Sequence, residues 1–324
     1  MAVIPVSPQT DLTALIASDE VSEGDVLLLE NGIYNQIVIV TKNFLRIFAG
    51  GDSVVFDGGN ILLNAFILEE VAGVEINGIK IANYQNDGIH IEGGLAHRII
   101  GNEIDNVSSR GIFAGSSTAN LIWKNIVRRA FDGILLRFGS TNNRVVENLV
   151  QFCRDDGIES WLNEDENNVF VKNTAAGNTR FGMEIFGVNS LVVDNIVENN
   201  GRIGLYVAGS DVSVIDNKIK NNNNSGILFD ASSFNTFVGD NEVKANAVLG
   251  MDRYSNQGSI QGNVITFNQS IGIRLNIDAG ANLIFNNTLI CNPPVNILDT
   301  SEDNPFAVPD NIILNNIDQP CAAS

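Results

Sequence analysis

Four segments in the middle of the chain, FDGILLR, DDGIESW, RFGMEIF and RIGLYVA, carry residues suited to acid–base chemistry at matched distances from a glycine. Counted from Gly133, Gly157, Gly182 and Gly204, the position just before the glycine holds Asp132 or Asp156, and Asp155 adjoins the latter. The position two after holds Glu159, Glu184 or Tyr206, and the position four after holds Arg137, Trp161 or Phe186. Two carboxyl groups held a few ångströms apart do not both ionise freely, so one keeps its proton and the pair supplies an acid and a base. Exposed rings beside such a pair offer a platform to a sugar. Asp132, Asp155, Asp156, Glu159 and Glu184 are therefore the candidate catalytic residues. His90, Arg110, Arg137, Trp161, Phe186 and Tyr206 are the candidate substrate-binding residues, and no metal ligands are assigned. The competing reading is a set of solvated or ion-paired faces in which Arg110 and Arg137 neutralise their neighbours.

Any such grouping requires elements that bring residues 20 or more positions apart side by side. The glycines supply the pattern: Gly88, Gly111, Gly133, Gly157, Gly182, Gly204, Gly226, Gly250 and Gly272 are spaced 23, 22, 24, 25, 22, 22, 24 and 22 residues apart, each opening a Gly-apolar-x-apolar segment. A fixed period of this length marks a solenoid. A second fixed point is an asparagine, at Asn102, Asn125, Asn148, Asn173, Asn195, Asn217, Asn241 and Asn263. Asparagine tolerates the left-handed backbone of a tight corner, and stacked asparagines pair their amides as a ladder. Each period then holds three short strands whose alternation sends Ile89, Ile112, Ile134, Ile158, Met183, Leu205, Ile227, Met251 and Ile273 inward. The expected fold is all-β: a right-handed parallel β-helix of about eleven coils, with neighbouring coils about 4.8 Å apart.

The organisation expected is a single domain over 1–324, with an N-terminal cap at 1–20, coils over 21–290 and a C-terminal cap at 291–324. DLTALIAS reads as a short amphipathic helix covering the open end of the core. Cys291 and Cys321 each follow a repeat asparagine by a few residues, one period apart, so they pair as a disulfide or lie as two neighbouring buried thiols. The net charge of −19 repels nucleic acid and anionic lipid, which excludes both as partners. No apolar run reaches membrane-spanning length, and the N-terminus does not read as a secretory signal. An extracellular or cell-surface setting is slightly preferred, and no oligomeric state is indicated.

GDVLLLENGIYNQIVI followed by GGDSVVFDGG resembles the start of pectin-lyase-like β-helix proteins, and VVDNIVENNGRIGLYVAGS is similar to repeats of mannuronan C5-epimerases and copper-periplasmic accessory proteins. The resemblance implies activity on a glycan polymer along the outer face of the Gly-apolar-x-apolar strands. The order FDG then RDDG is similar to the polygalacturonase arrangement, which carries the three carboxylates to Asp132, Asp155 and Asp156 and a binding arginine to Arg202. The family's Gly-His-Gly is replaced by RFG at Arg180–Gly182, and no lysine follows Arg202. YQNDGIH offers Tyr84, Asp87 and His90 for an epimerase set. Glycosidic-bond hydrolysis, with no cofactor required, is the leading expectation, and a polysaccharide or oligosaccharide the expected partner. The alternatives are a lyase or C5-epimerase, in which Arg110 or Arg137 is the base and Ca²⁺ a cofactor, and a non-catalytic surface or tailspike-like protein.

Overall fold

A computed structural model describes residues 1–304 and 309–321. Its strands form three parallel sheets of 14, 12 and 13 members, wound as one parallel β-helix of about thirteen turns. The twelve-stranded sheet runs from Val38–Val40 to Ile297–Asp299 and contains every Gly-apolar-x-apolar segment. Its register is the one the glycines imply: Ile134 pairs with Ile158, Ile158 with Met183 and Met183 with Leu205. All nine expected inward residues are fully buried, within a continuous aliphatic core.

The repeat glycine is required by the closeness of successive coils. A Cβ on Gly157 would sit 2.5 Å from the Gly182 carbonyl oxygen and 2.6 Å from the Asn178 side-chain nitrogen. Any side chain there pushes the coils apart.

The asparagine ladder forms as expected. From Asn102 onward, each amide nitrogen donates to the Oδ1 of the asparagine one coil later, as in Asn148 to Asn173 at 3.0 Å and Asn195 to Asn217 at 2.9 Å. Two further runs were not anticipated: Asn178, Asn200, Asn222, Asn246, Asn268 and Asn292, and the shorter Asn120, Asn143 and Asn168. The left-handed residue of the corner is not the ladder asparagine. It is the residue before it: Lys124, Glu147, Lys172, Asp194 and Asp216 all have φ between 53° and 55°. The asparagine must turn its amide inward and donate its backbone N–H to the next Oδ1, so the chain reverses one residue earlier, where a side chain can stay in water.

The ends account for the difference from eleven coils. Within the expected N-terminal cap, Val3–Val6 already pairs with Val26–Leu29. Within the expected C-terminal cap, Ile297–Asp299, Ile312–Leu314 and Ile317–Gln319 continue the three sheets. Ile297–Asp299 has Asn296 where earlier coils of its sheet have the glycine, and the others belong to the two sheets that the glycines do not mark. The remainder of that cap, 305–308 and 322–324, lies outside the described residues. The helix Leu12–Ala17 is present, capped by Asp11, which accepts from the Ala14 N–H at 3.0 Å. It buries Leu12 and Ile16 and is fastened to the first strand of the twelve-stranded sheet through Thr13 Oγ1, which donates to Ile37 and accepts from Ile39. Cys291 and Cys321 are disulfide-bonded, with Cα atoms 4.1 Å apart, while Cys153 is free and buried.

Candidate functional site

The outer face of the twelve-stranded sheet collects the non-repeating residues. Across four coils Leu135 pairs with Glu159, Glu159 with Glu184 and Glu184 with Tyr206, so the two glutamates are direct neighbours. Asp156, at the strand entrance, joins them: Asp156, Glu159 and Glu184 each offer a carboxylate oxygen within 4.8 Å of the others. Although they leave the sheet on its outer side, Asp156 and Glu159 are only 1 % exposed and Glu184 4 %. Asp132 and Asp155 lie at the rim, partly exposed.

Among the described residues, one side-chain cation pairs with Asp155, Asp156 and Glu184: Arg180. Its Nε donates to Asp156 Oδ1 at 3.0 Å, its Nη2 pairs with Glu184 Oε2, and its Nε lies 3.5 Å from Asp155. The Phe181 N–H also donates to Asp156 Oδ1, at 2.9 Å. Asp156 Oδ2 lies 2.7 Å from Arg180 Nη2 but off its N–H direction, so it forms an ion pair without a hydrogen bond. Both oxygens of Glu159 are buried without a donor. Burial, then the adjacent Glu184 carboxyl, drives the Glu159 carboxyl far above the usual range. Burial, then the charge of Glu184, pushes Asp156 up as well. Burial and the neighbouring Asp155 charge raise Asp132 to about 6.

The sequence-selected residues therefore divide into groups. Asp132, Asp155, Asp156, Glu159 and Glu184 converge. Tyr206 and Phe186 flank them with ring centroids 5.9 Å apart, and Phe181 stacks on Tyr206 at 5.3 Å. The Tyr206 hydroxyl donates to Asp230 at 2.8 Å. Arg137 lies over the rings of Trp161 and Phe138, 5.0 and 4.6 Å from their centroids, and Trp161 remains 39 % exposed.

His90 and Arg110 gather on Asp87, on the coils just N-terminal to Asp132, with Arg110 the register partner of Asp132 itself. Arg110 holds both oxygens of Asp87, at 2.8 and 2.9 Å, and His90 Nδ1 is 2.8 Å from the same carboxylate. Burial alone would raise Asp87, but the hydrogen bonds from His90 and Arg110 bring it below the usual range. Of the two arginines expected to neutralise their neighbours, Arg110 does so for Asp87 and also lowers Asp132 by its charge, whereas Arg137 packs on the rings of Trp161 and Phe138. Arg110 is likewise not free to act as a lyase base. Tyr84 does not join an epimerase set either: it is buried, and its hydroxyl donates to the Gln36 carbonyl at 2.8 Å. Arg202 is exposed.

Arg180 is the residue that the sequence reading passed over. The available signal was its position two before Gly182, matching that of Asp155 before Gly157, which sets opposite charges side by side on adjacent coils.

A family model described as periplasmic copper-binding protein (NosD) matches residues 127–320. The chain belongs to this NosD family. A right-handed β-helix model matches residues 40–187. Comparison with curated proteins gives no match. Among solved structures, the mannuronan C-5 epimerase AlgE6 A-module of Azotobacter vinelandii matches at 15% identity with a TM-score of 0.63, over 96% of this chain and 95% of that one. The catalytic domain of a GH87 α-1,3-glucanase, solved with tetrasaccharides, matches at 12% identity and a TM-score of 0.75, over 97% and 69%. A DFA-IIIase from Arthrobacter chlorophenolicus A6, solved with GF2, matches at 13% identity and a TM-score of 0.57, over 85% and 87%. At these identities the likeness is one of fold, a right-handed parallel β-helix.

Copper is bound by imidazole, thiolate and thioether ligands. Among the described residues no such group assembles in this NosD-family chain. His90 is engaged by Asp87, His97 is buried and its Nδ1 accepts from the Val74 N–H, and Cys153, Met183 and Met251 lie in the core. The cluster of potential ligands is all carboxylate. These residues do not fit copper. No helix among them is long and apolar enough to cross a membrane.

Proposed function

We propose that the outer face of the twelve-stranded sheet binds a polysaccharide or oligosaccharide and that Asp132 and Asp155, organised by Asp156 and Arg180, hydrolyse its glycosidic bond. The observation that carries this reading is the pairing at the rim: a partly buried Asp132 that keeps its proton to about pH 6, beside an Asp155 that faces Arg180 at 3.5 Å. Asp132 donates its proton to the leaving oxygen as the C–O bond breaks. Asp155 takes a proton from the attacking water, whose oxygen bonds to the anomeric carbon. Asp156 receives Arg180 and the Phe181 N–H and so holds the guanidinium in place. The half-exposed Trp161 and the neighbouring Phe186 and Tyr206 offer ring faces to the sugar.

The glycan-acting fold neighbours support a carbohydrate substrate, and the periplasmic family description supports a periplasmic or extracellular setting. Hydrolysis stands ahead of β-elimination because the arginine nearest Asp132 in register, Arg110, is bound to Asp87. The test is a panel of uronate-containing and neutral polysaccharides, read for new reducing ends and for absorbance of unsaturated products. Reducing ends without unsaturated products, abolished by Asp132→Asn and Asp155→Asn, are expected. Unsaturated products would replace hydrolysis by elimination, and silence on every polymer would favour a non-catalytic surface protein.

A further inference from the structure

The buried carboxylate cluster poses a charge problem that Arg180 does not solve. Asp155, Asp156, Glu159 and Glu184 face a single guanidinium. Arg180 satisfies Asp156 Oδ1 and Glu184 Oε2 and ion-pairs with Asp156 Oδ2, yet both oxygens of Glu159 are buried with no hydrogen-bond donor. Buried carboxylate oxygens are ordinarily satisfied by donors, counter-charges or metal ions. The Glu159 side chain has none of these from the protein, although it points into the cluster and is fully enclosed.

We propose that Asp156, Glu159 and Glu184 bind one hard divalent cation, calcium in the first instance. The geometry supports the size of the ion. Three oxygens at the corners of a triangle with 4.8 Å sides have a common centre about 2.8 Å from each, and any tighter spacing brings that centre closer. Calcium–oxygen distances of about 2.3–2.6 Å are reached with a small side-chain adjustment, whereas the roughly 2.1 Å of magnesium requires the whole cluster to contract. Calcium also accepts irregular, partly bidentate carboxylate coordination, which suits a site built from three side chains of two adjacent coils around an arginine. Soft metals are disfavoured because every donor is a carboxylate oxygen. With all four carboxylates ionised, the group and Arg180 would carry −3, and one divalent ion lowers that to −1, a charge relief that otherwise falls to bound protons. The ion would tie together two successive coils beneath the face assigned to the glycan. It goes beyond the hydrolytic reading, which routes no step through a metal.

The full chain, stripped with EDTA and dialysed, is titrated with calcium, magnesium and copper(II), and binding is followed by calorimetry and by terbium luminescence sensitised by the aromatic rings. One calcium per chain is expected, with a raised Tm, terbium displaced by calcium, and no comparable effect of magnesium. Glu159→Gln and Glu184→Gln should each weaken calcium at least about tenfold while keeping the far-ultraviolet circular dichroism of the wild type. Asp240→Asn, at an exposed corner remote from the cluster, should bind as the wild type does. No saturable binding to the wild type, or equal binding by Glu159→Gln, would overturn the site and leave shared protons as the solution to the charge problem. Tighter copper than calcium, lost in the same variants, would overturn the oxygen-donor argument. None of these readouts uses a glycan, so a silent polysaccharide screen leaves this result standing, and a failed calcium titration leaves hydrolysis standing.

Discussion

Replacing Glu159 by Gln in the presence of a chelator is expected to stabilise the protein at neutral pH. Glu159 is 1 % exposed, and burial, then Glu184, raises its carboxyl from 4.5 to about 11. The folded chain therefore keeps the Glu159 proton at pH 7, while the unfolded chain has released it. Between the unfolded and folded values the folded state binds more protons, so stability is complete below about pH 4.5 and declines as pH rises. At pH 7 the loss depends only on the distance above 4.5, because the folded value is far higher. About 2.5 pH units at 1.36 kcal/mol each give roughly 3 kcal/mol. Glutamine has nearly the same shape, carries no proton to lose and can still donate to Glu184. Urea unfolding in EDTA should place Glu159→Gln up to about 3 kcal/mol above the wild type at pH 7 and level with it near pH 4.5. Excess calcium should narrow or reverse that gap. A difference that does not change with pH, or a variant less stable at pH 7 in EDTA, would refute the reasoning.

Three further outcomes follow from the same coordinates. Gly157→Val should lower stability by about 3 kcal/mol or prevent folding, seen as a lower Tm, because its Cβ would lie 2.5 Å from the Gly182 carbonyl oxygen. Asn195→Leu should cost about 2–4 kcal/mol in denaturant unfolding, since it strands the Asn173 N–H and amide, the Phe170 carbonyl and Asn217 Oδ1 inside the core. On a polymer identified by the screen, kcat/KM should fall as pH rises through about 6, where Asp132 loses the proton it must donate, and Asp132→Asn should leave a low rate without that limb. A flat profile in the wild type would remove Asp132 from the acid's role.

Much of the fold was legible because a solenoid writes its register into the chain. The glycines mark where coils approach most closely, and the pairing of Glu159 with Glu184 follows from counting two residues beyond Gly157 and Gly182. The ends were only partly legible. Ile312–Leu314 is still followed by a ladder asparagine, Asn316, which accepts from Asn287, whereas Val3–Val6 lies before the first glycine and asparagine of the repeat. The second asparagine ladder was equally present in the sequence, at Asn178, Asn200, Asn222, Asn246 and Asn268, but it was hidden among other asparagines until hydrogen bonding separated the two.

The site divides along similar lines. Which carboxylates share a face is a matter of period, and the sequence alone determined that Asp132, Asp155, Asp156, Glu159 and Glu184 are neighbours. Which of them is buried, which cation each meets and where each ring stacks are matters of side-chain direction and packing across coils. Only the tertiary structure sends Arg110 to Asp87, lays Arg137 against Trp161 and places Arg180 among the central carboxylates. It alone encloses Glu159 without a donor. A period of 22–25 residues specifies which backbones are adjacent. The long, flexible arginine side chains can each reach more than one coil, so their choice of partner is decided by the charges and rings that packing has already placed there.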